Sequence, residues 1–216
     1  MADATVRHTD TRDPAEIAKF SALAAQWWDQ KGPFAGLHRL NPVRLAYIRE
    51  RALTHFPSPL PSSGGGLSGL RVVDLACGGG LVTAPLARLG ADVTGLDASE
   101  EAIAAAKFYA AEAGLDIDFQ VGTAEALAAA QPETFDLVVA LEIVEHVADL
   151  HAFLNAAAAL LKPNGLLILS TINRTARARA LALFAAEKVL HMAPDGAHEF
   201  EKLVKPEELE IVPTLL

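Results

Sequence analysis

Two stretches of this sequence put chemically useful residues where an apolar run gives way to a loop. The first is Val72-Val73-Asp74-Leu75-Ala76-Cys77-Gly78-Gly79-Gly80. An acid follows the apolar residues, and three consecutive glycines break the run. Glycine permits turns closed to other residues and lets a ligand come close to the backbone. A periodic stretch from Leu81 to Leu89 comes next, so the segment reads as strand, tight turn and helix. A second apolar run, Val93-Thr94-Gly95-Leu96, ends in Asp97, where a carboxylate at a strand tip can accept hydrogen bonds from a ribose diol. Loop and acid together describe a site for an adenosine-containing cofactor. The second stretch is Glu142-Ile143-Val144-Glu145-His146, after the apolar strand 135–140. If 142–147 opens a helical turn, Glu142, Glu145 and His146 fall at i, i+3 and i+4 and share one face. Two carboxylates and an imidazole there can hold a divalent cation, and oxygen-rich ligation suits Mg²⁺. The other reading is a helix start with acids at its positive end and His146 as a packing or general-base residue.

The glycine pattern narrows the cofactor. A dinucleotide fingerprint, G-x-G-x-x-G, needs a glycine at position 83 or 84, and Thr83 and Ala84 stand there. No G-x-x-x-x-G-K-[ST] occurs. What stands is D-x-A-x-G-x-G from Asp74 to Gly80. It resembles the first motif of the class I S-adenosylmethionine (SAM) methyltransferases, with Ala76 in place of the first glycine. The alternative is a purely structural glycine turn. Thr123-Ala124, after the third strand, either borders the adenine or caps a helix. Cys77 reads as a small packed residue rather than a nucleophile, and His198 as a loop residue near the acceptor or at the surface.

The elements that must position these residues follow from periodicity. Asp13-Pro14 starts a helix that carries Ile17, Phe20, Leu23, Ala24 and Trp27 on one face and closes at Trp27-Trp28-Asp29. Gly32-Pro33-Phe34 breaks the chain, and Asn41-Pro42 predicts a second helix to about Leu53. Strands are expected at 71–75, 92–97, 117–121, 135–140 and 165–171, with helices near 81–89, 99–113, 149–161 and 175–192. This alternation predicts an α/β fold, a doubly wound, mostly parallel sheet with its loops after strands one, two and four at the carboxyl edge. The organisation is a helical cap over 1–56, a flexible Pro/Ser/Gly linker over 57–69 and an α/β domain over 70–216. The net charge of −9 argues against a nucleic-acid partner. A single cysteine leaves no intrachain disulfide, and the absence of a membrane-length apolar run or secretory leader makes a soluble cytoplasmic protein the expectation. Arg174, Arg177, Arg179 and Lys188 alternate with Leu181, Leu183, Phe184, Val189 and Leu190. That is a basic amphipathic segment for the inner face of an anionic membrane, or else a helix covering the sheet.

The stretch Phe20…Trp27-Trp28-Asp29…Gly32-Pro33-Phe34…Leu37-His38…Asn41-Pro42-Val43-Arg44…Tyr47-Ile48 resembles the signature of the ubiquinone-biosynthesis O-methyltransferases. Asp74–Gly80, Thr94–Asp97, Glu142–Val147, Leu161–Pro163, Ser170–Arg174, Gly196–His198 and Lys205–Leu209 extend the similarity over about residues 14–209. The resemblance implies a seven-stranded SAM-methyltransferase fold. It also implies methyl transfer to a ring hydroxyl of a polyprenylated phenol or catechol, at a polyprenyl hydroxyphenol and again at the demethylubiquinol. By motif, Arg44, Ala76, Asp97 and Leu141 correspond to SAM-contacting positions, beside Gly78, Thr123 and Ala124 from the reading above. Glu142, Glu145 and His146 correspond to the Mg²⁺ positions, with Glu145 and His146 at the chemistry. The implied partners are the prenylated acceptor, an anionic membrane surface and a ubiquinone-biosynthesis complex. Two departures stand out: Ala76 for a glycine, and an end soon after Leu209 where family members continue, so that the last strand pair is expected to be incomplete. Two other readings stay open: a SAM methyltransferase of another small phenol, and a non-catalytic SAM- or lipid-binding subunit.

Overall fold

The computed structural model describes residues 11–56, 66–175 and 202–209. The expected helix near 175–192, apart from its first residue, lies outside these, as do His198, most of the linker and the chain after Leu209. Helix α1 (Pro14–Ser21) starts where the sequence predicts. The Asp13 carboxylate accepts from the Ala15 and Glu16 N–H groups at 3.0 and 3.3 Å, and Pro14 sits where no donor is needed. It ends earlier than expected. A 3₁₀ turn over Ala24–Gln26 replaces its last part and swings Trp27 and Trp28 back toward the sheet.

Helix α2 (Ala35–His55) begins before Asn41-Pro42 and carries Pro42 in its interior. An interior proline removes a helix hydrogen bond and crowds the preceding turn. Packing offsets this: Ala35, Ile48 and Ala52 are buried, and the Asn41 amide donates to the Leu81 carbonyl at 2.6 Å.

Strands β1 (Arg71–Leu75), β2 (Asp92–Asp97), β3 (Asp118–Val121), β4 (Phe135–Leu141) and β5 (Leu161–Ser170) form one sheet in the order β3-β2-β1-β4-β5, every pair parallel. These are the five strands of the described residues. β5 starts at Leu161 rather than 165, because Leu161 already pairs with Phe135. The register then shifts before Leu137 meets Leu166, with Asn164 at φ 62°. Lys162-Pro163-Asn164 therefore form a bulge within the strand.

Neighbouring residues of the central strands point to opposite faces. Val73, Val138 and Ala140 pack with Leu127 and Leu154 of α5 (Ala124–Ala130) and α6 (Leu150–Ala159). Val72, Leu137 and Val139 pack with Ile48 and Ala52 of α2 and Leu86 of α3 (Thr83–Arg88). Helix α4 (Glu100–Glu112) closes a third cluster around Phe119 and Cys77. β1 is flanked by β2 and β4, so the strand order reverses there and opens a crevice at the carboxyl ends, the usual ligand position in such sheets.

Candidate active site

β1 ends in a turn that uses left-handed backbone three times: Ala76 at φ 57°, Gly78 at 54° and Gly80 at 83°. Glycine takes this conformation freely, whereas a residue with a Cβ is strained by about 1–2 kcal/mol. Ala76 therefore holds strain that a glycine would not. The Cys77 N–H donates to the Leu96 carbonyl at 3.0 Å, and the Gly78 N–H donates to Asp97 Oδ2 at 2.8 Å. Asp97 Oδ1 accepts from the Ser99 N–H at 2.8 Å, at the start of α4. One carboxylate thus joins the glycine turn to the next helix. Burial pushes its pKa up, opposed by the N–H donors of Ser99, Gly78 and Ala98. A carboxylate can accept about four hydrogen bonds, so capacity remains for a sugar diol. Asp74, one strand residue earlier, is buried and accepts from Thr83 Oγ1 at 2.6 Å. Burial in the sheet raises its carboxyl from 3.8 to about 7. Cys77 is buried and its thiol is pushed well above its usual range, mainly by burial, so it packs rather than reacts.

The N-terminal helices clamp this turn. Trp27 stacks on Phe34 with ring centroids 3.8 Å apart and lies across Gly78 and Gly79. A Cβ on Gly78 would stand 2.5 Å from the far edge of the indole, and one on Gly79 would stand 2.4 Å from its Cγ. The sequence reading assigns these glycines to a tight turn and to ligand approach; the structure shows that a tryptophan requires them as well. Trp28 donates its indole N–H to the Gly79 carbonyl at 2.9 Å and stacks on Tyr109 of α4. A glycine shows in sequence only as a missing side chain, so its partner was not readable there.

Glu142, Glu145 and His146 leave β4 on a turn, not a helix. The His146 N–H bonds the Ile143 carbonyl at 2.8 Å, and Glu142 takes φ 54°. The one-face geometry expected of a helix is therefore not realised. Glu142 Oε1 receives Arg44 Nη2 at 2.9 Å and the Ser170 hydroxyl at 2.7 Å. Glu145 Oε2 accepts from Thr171 Oγ1 at 2.9 Å, while its buried Oε1 has no hydrogen-bond partner. Burial first, and then the charge of Glu142, raise Glu145 from 4.5 to about 7. His146 Nδ1 lies 2.9 Å from Glu16 Oε2 of α1, with Phe20 edge-on at 5.3 Å. Among the described residues, no three His, Cys, Asp or Glu side chains converge to hold a metal ion. The carboxylate pair and the orphaned Oε1 suit a hard cation; the imidazole does not join them here. Glu16 is a site residue the sequence reading missed, since an acid in a first helical turn is expected anyway.

One cavity of about 690 Å³ joins these groups. Asp74, Ala76, Gly78 and Asp97 line one part, with Thr123, Ala124 and Leu141 beside them. Thr123 is also the N-cap of α5, accepting from the Ala126 N–H at 3.2 Å, so the cap reading holds whatever else it contacts. Arg44, Glu142 and His146 line the same cavity, as do apolar side chains of α1 and α2, including Ile17, Phe20 and Leu40. The cavity thus combines polar groups at the sheet edge with apolar side chains of the N-terminal helices, and its volume lies within the roughly 300–1,000 Å³ usual for small-molecule sites.

Known proteins resemble this chain in sequence and in fold. The family described as a methyltransferase domain matches residues 73–169. The ubiquinone biosynthesis O-methyltransferase of Sinorhizobium medicae (strain WSM419) is 52% identical over 93% of this chain and 80% of its own length. The protein of the same name from Brucella ovis is 52% identical with the same coverage. Among solved structures, magnesium protoporphyrin IX methyltransferase from Synechocystis PCC 6803 with bound SAH superposes with a TM-score of 0.63. It is 23% identical and covers 92% of this chain and 83% of that one, which supports the fold.

Proposed function

The chain belongs to the ubiquinone biosynthesis O-methyltransferase family and is a SAM-dependent methyltransferase, and from that premise we propose that its acceptor is a ring hydroxyl of a polyprenylated phenol or catechol. Within that reading the acceptors are the 2-polyprenyl-6-hydroxyphenol and the 3-demethylubiquinol. The observation that carries it is one cavity lined both by an acid-latched glycine turn and by apolar side chains of the N-terminal helices.

When bound, SAM supplies a methyl on a positive sulfonium, passed in line to the acceptor oxygen. Asp97 would accept from the ribose diol, the backbone of Ala76 and Gly78 would help hold the cofactor, and Thr123, Ala124 and Leu141 would border it. Arg44 has five donors, so it can keep Glu142 and still hold the cofactor's carboxylate. The acceptor must lose a proton, and His146, which lines the cavity, is the base in this reading. An ionised Glu16 can only accept, so a proton on Nδ1 leaves the basic lone pair on Nε2. Glu145, with a buried and unpartnered Oε1, is the second residue assigned to the chemistry in this reading. Mg²⁺, if it takes part, would be held by Glu142 and Glu145, with His146 joining only after leaving Glu16, and would lower the hydroxyl pKa. The reading extends to the cytoplasmic face of an anionic membrane and to a biosynthetic complex, both suited to a greasy acceptor. No helix among the described residues is long and apolar enough to cross a membrane.

The test is transfer of labelled methyl from SAM to catechols with and without a prenyl tail, with Mg²⁺ or a chelator. Transfer confined to the prenylated catechol is expected. SAM binding without transfer to either would make the chain a binding subunit, and unchanged rates under chelation would remove the metal.

A further inference from the structure

Among the described residues, Leu40, Val43, Tyr47 and Leu53 of α2 are large apolar side chains left in solvent, as are Phe108 of α4 and Val121 of β3. Leu40, Val43 and Tyr47 of α2 are 45%, 67% and 54% exposed. Their spacing of i, i+3 and i+7 puts them in one stripe along the helix. Leu40 also lines the cavity, so it stands at the rim, where the inside of the pocket becomes the outside of the molecule. Val43 is one turn beyond the rim and Tyr47 one turn beyond Val43. Arg51 lies over the Tyr47 ring at 5.5 Å, which braces the far end of the stripe. A helix face turned to water has no structural use for three large apolar side chains in line.

Resting on the acceptor class proposed above, we propose that this stripe is the exit track on which the acceptor's isoprenoid tail lies. A cavity of about 690 Å³ that also takes the cofactor and an aromatic ring cannot hold many isoprene units. The tail must leave through the mouth, and the apolar surface continuous with the mouth is α2. Each methylene removed from water there contributes about 0.8 kcal/mol, so two or three contacts change affinity about tenfold or more. The track selects for a prenylated acceptor without touching the reacting atoms.

The experiment is a double substitution, Val43→Gln with Tyr47→Gln, in the full chain. Both positions are exposed and glutamine is a good helix former, so the fold is retained. We expect kcat/KM for a catechol with a tail of several isoprenes to fall about tenfold or more, and that for the same catechol without a tail to stay within about twofold. Equal losses on both substrates, or none on either, would overturn the track. A loss seen only when anionic phospholipid vesicles are present would assign the stripe to a membrane surface instead and overturn it too. If the unsubstituted chain methylates neither catechol, the proposed reaction has failed. Calorimetric binding of the two compounds to both proteins then decides the track by itself: tighter binding of the tailed compound that the substitution abolishes supports it, and equal binding overturns it.

Discussion

Asp74 illustrates how much a single side chain can decide here. It is 3% exposed, lies in the central strand, and is held by one hydroxyl. Its carboxyl is raised from 3.8 to about 7, first by burial. The unfolded chain ionises this group at the ordinary value while the folded chain resists doing so. Its stabilising contribution is therefore complete below 3.8 and is lost as pH rises through about 7. Asp74→Asn keeps an acceptor for Thr83 and removes the ionisation. The variant should melt several degrees above the unsubstituted protein at pH 8, and the gap should narrow as pH falls below about 7 and close only near 3.8, read by thermal unfolding. Glu145 is raised in the same sense but is present in both proteins, so it drops out of the difference. A variant that melts lower at pH 8 would mean that the charge itself stabilises the turn. The positions of Asp74 and Asp97 were legible in the sequence, because an acid that ends an apolar run has few other uses. Glu16 beside His146 was not, since residues 130 apart show no joint pattern without the fold.

At the scale of elements, the cap and the glycine turn are one assembly. Gly78→Ala adds a Cβ at φ 54°, worth about 1–2 kcal/mol by itself, and drives it to 2.5 Å from the Cη2 and Cζ2 atoms of Trp27. The indole cannot simply swing aside, because it is stacked on Phe34. The total cost by urea unfolding should exceed the backbone share, and in a Trp27→Ala background it should shrink to about 1–2 kcal/mol. Gly79→Ala behaves differently. Its new Cβ meets Trp27 Cβ itself at 2.5 Å, an atom that alanine retains, so Trp27→Ala should give little relief. Equal relief at both positions would show that the indole does not set the clearance. The same elements show where sequence reading stops. Strands β1 and β2 were read to the residue, since their apolar runs are bounded by glycine and acid. The start of α2 was misread because Asn41-Pro42 is a good helix start in isolation, and only the burial of Ala35 and the reach of Asn41 to Leu81 carry the helix past it.

Across the whole molecule, charge and topology act on the cofactor together. The chain carries a formal net charge of −9. The sheet order brings Asp74, Asp97 and Glu142 to one cavity, where Arg44 is already paired to Glu142. SAM bears one net positive charge, from a sulfonium and an ammonium against a carboxylate, while SAH bears none. The field of the molecule should therefore draw in the substrate form and be indifferent to the product. That field is long-ranged and screened by salt: the Debye length falls from about 30 Å at about 0.01 M to about 3 Å at about 1 M. Acids inside the cavity are screened far less than those on the surface. Raising salt over this range should weaken SAM binding several-fold, mostly through a slower on-rate, while SAH binding moves little. Some preference for SAM should persist at high salt, contributed by the cavity acids alone. Calorimetric titration of both ligands at the two salt concentrations measures each part. Parallel weakening of SAM and SAH would show that the charge of the chain has no hand in choosing between them.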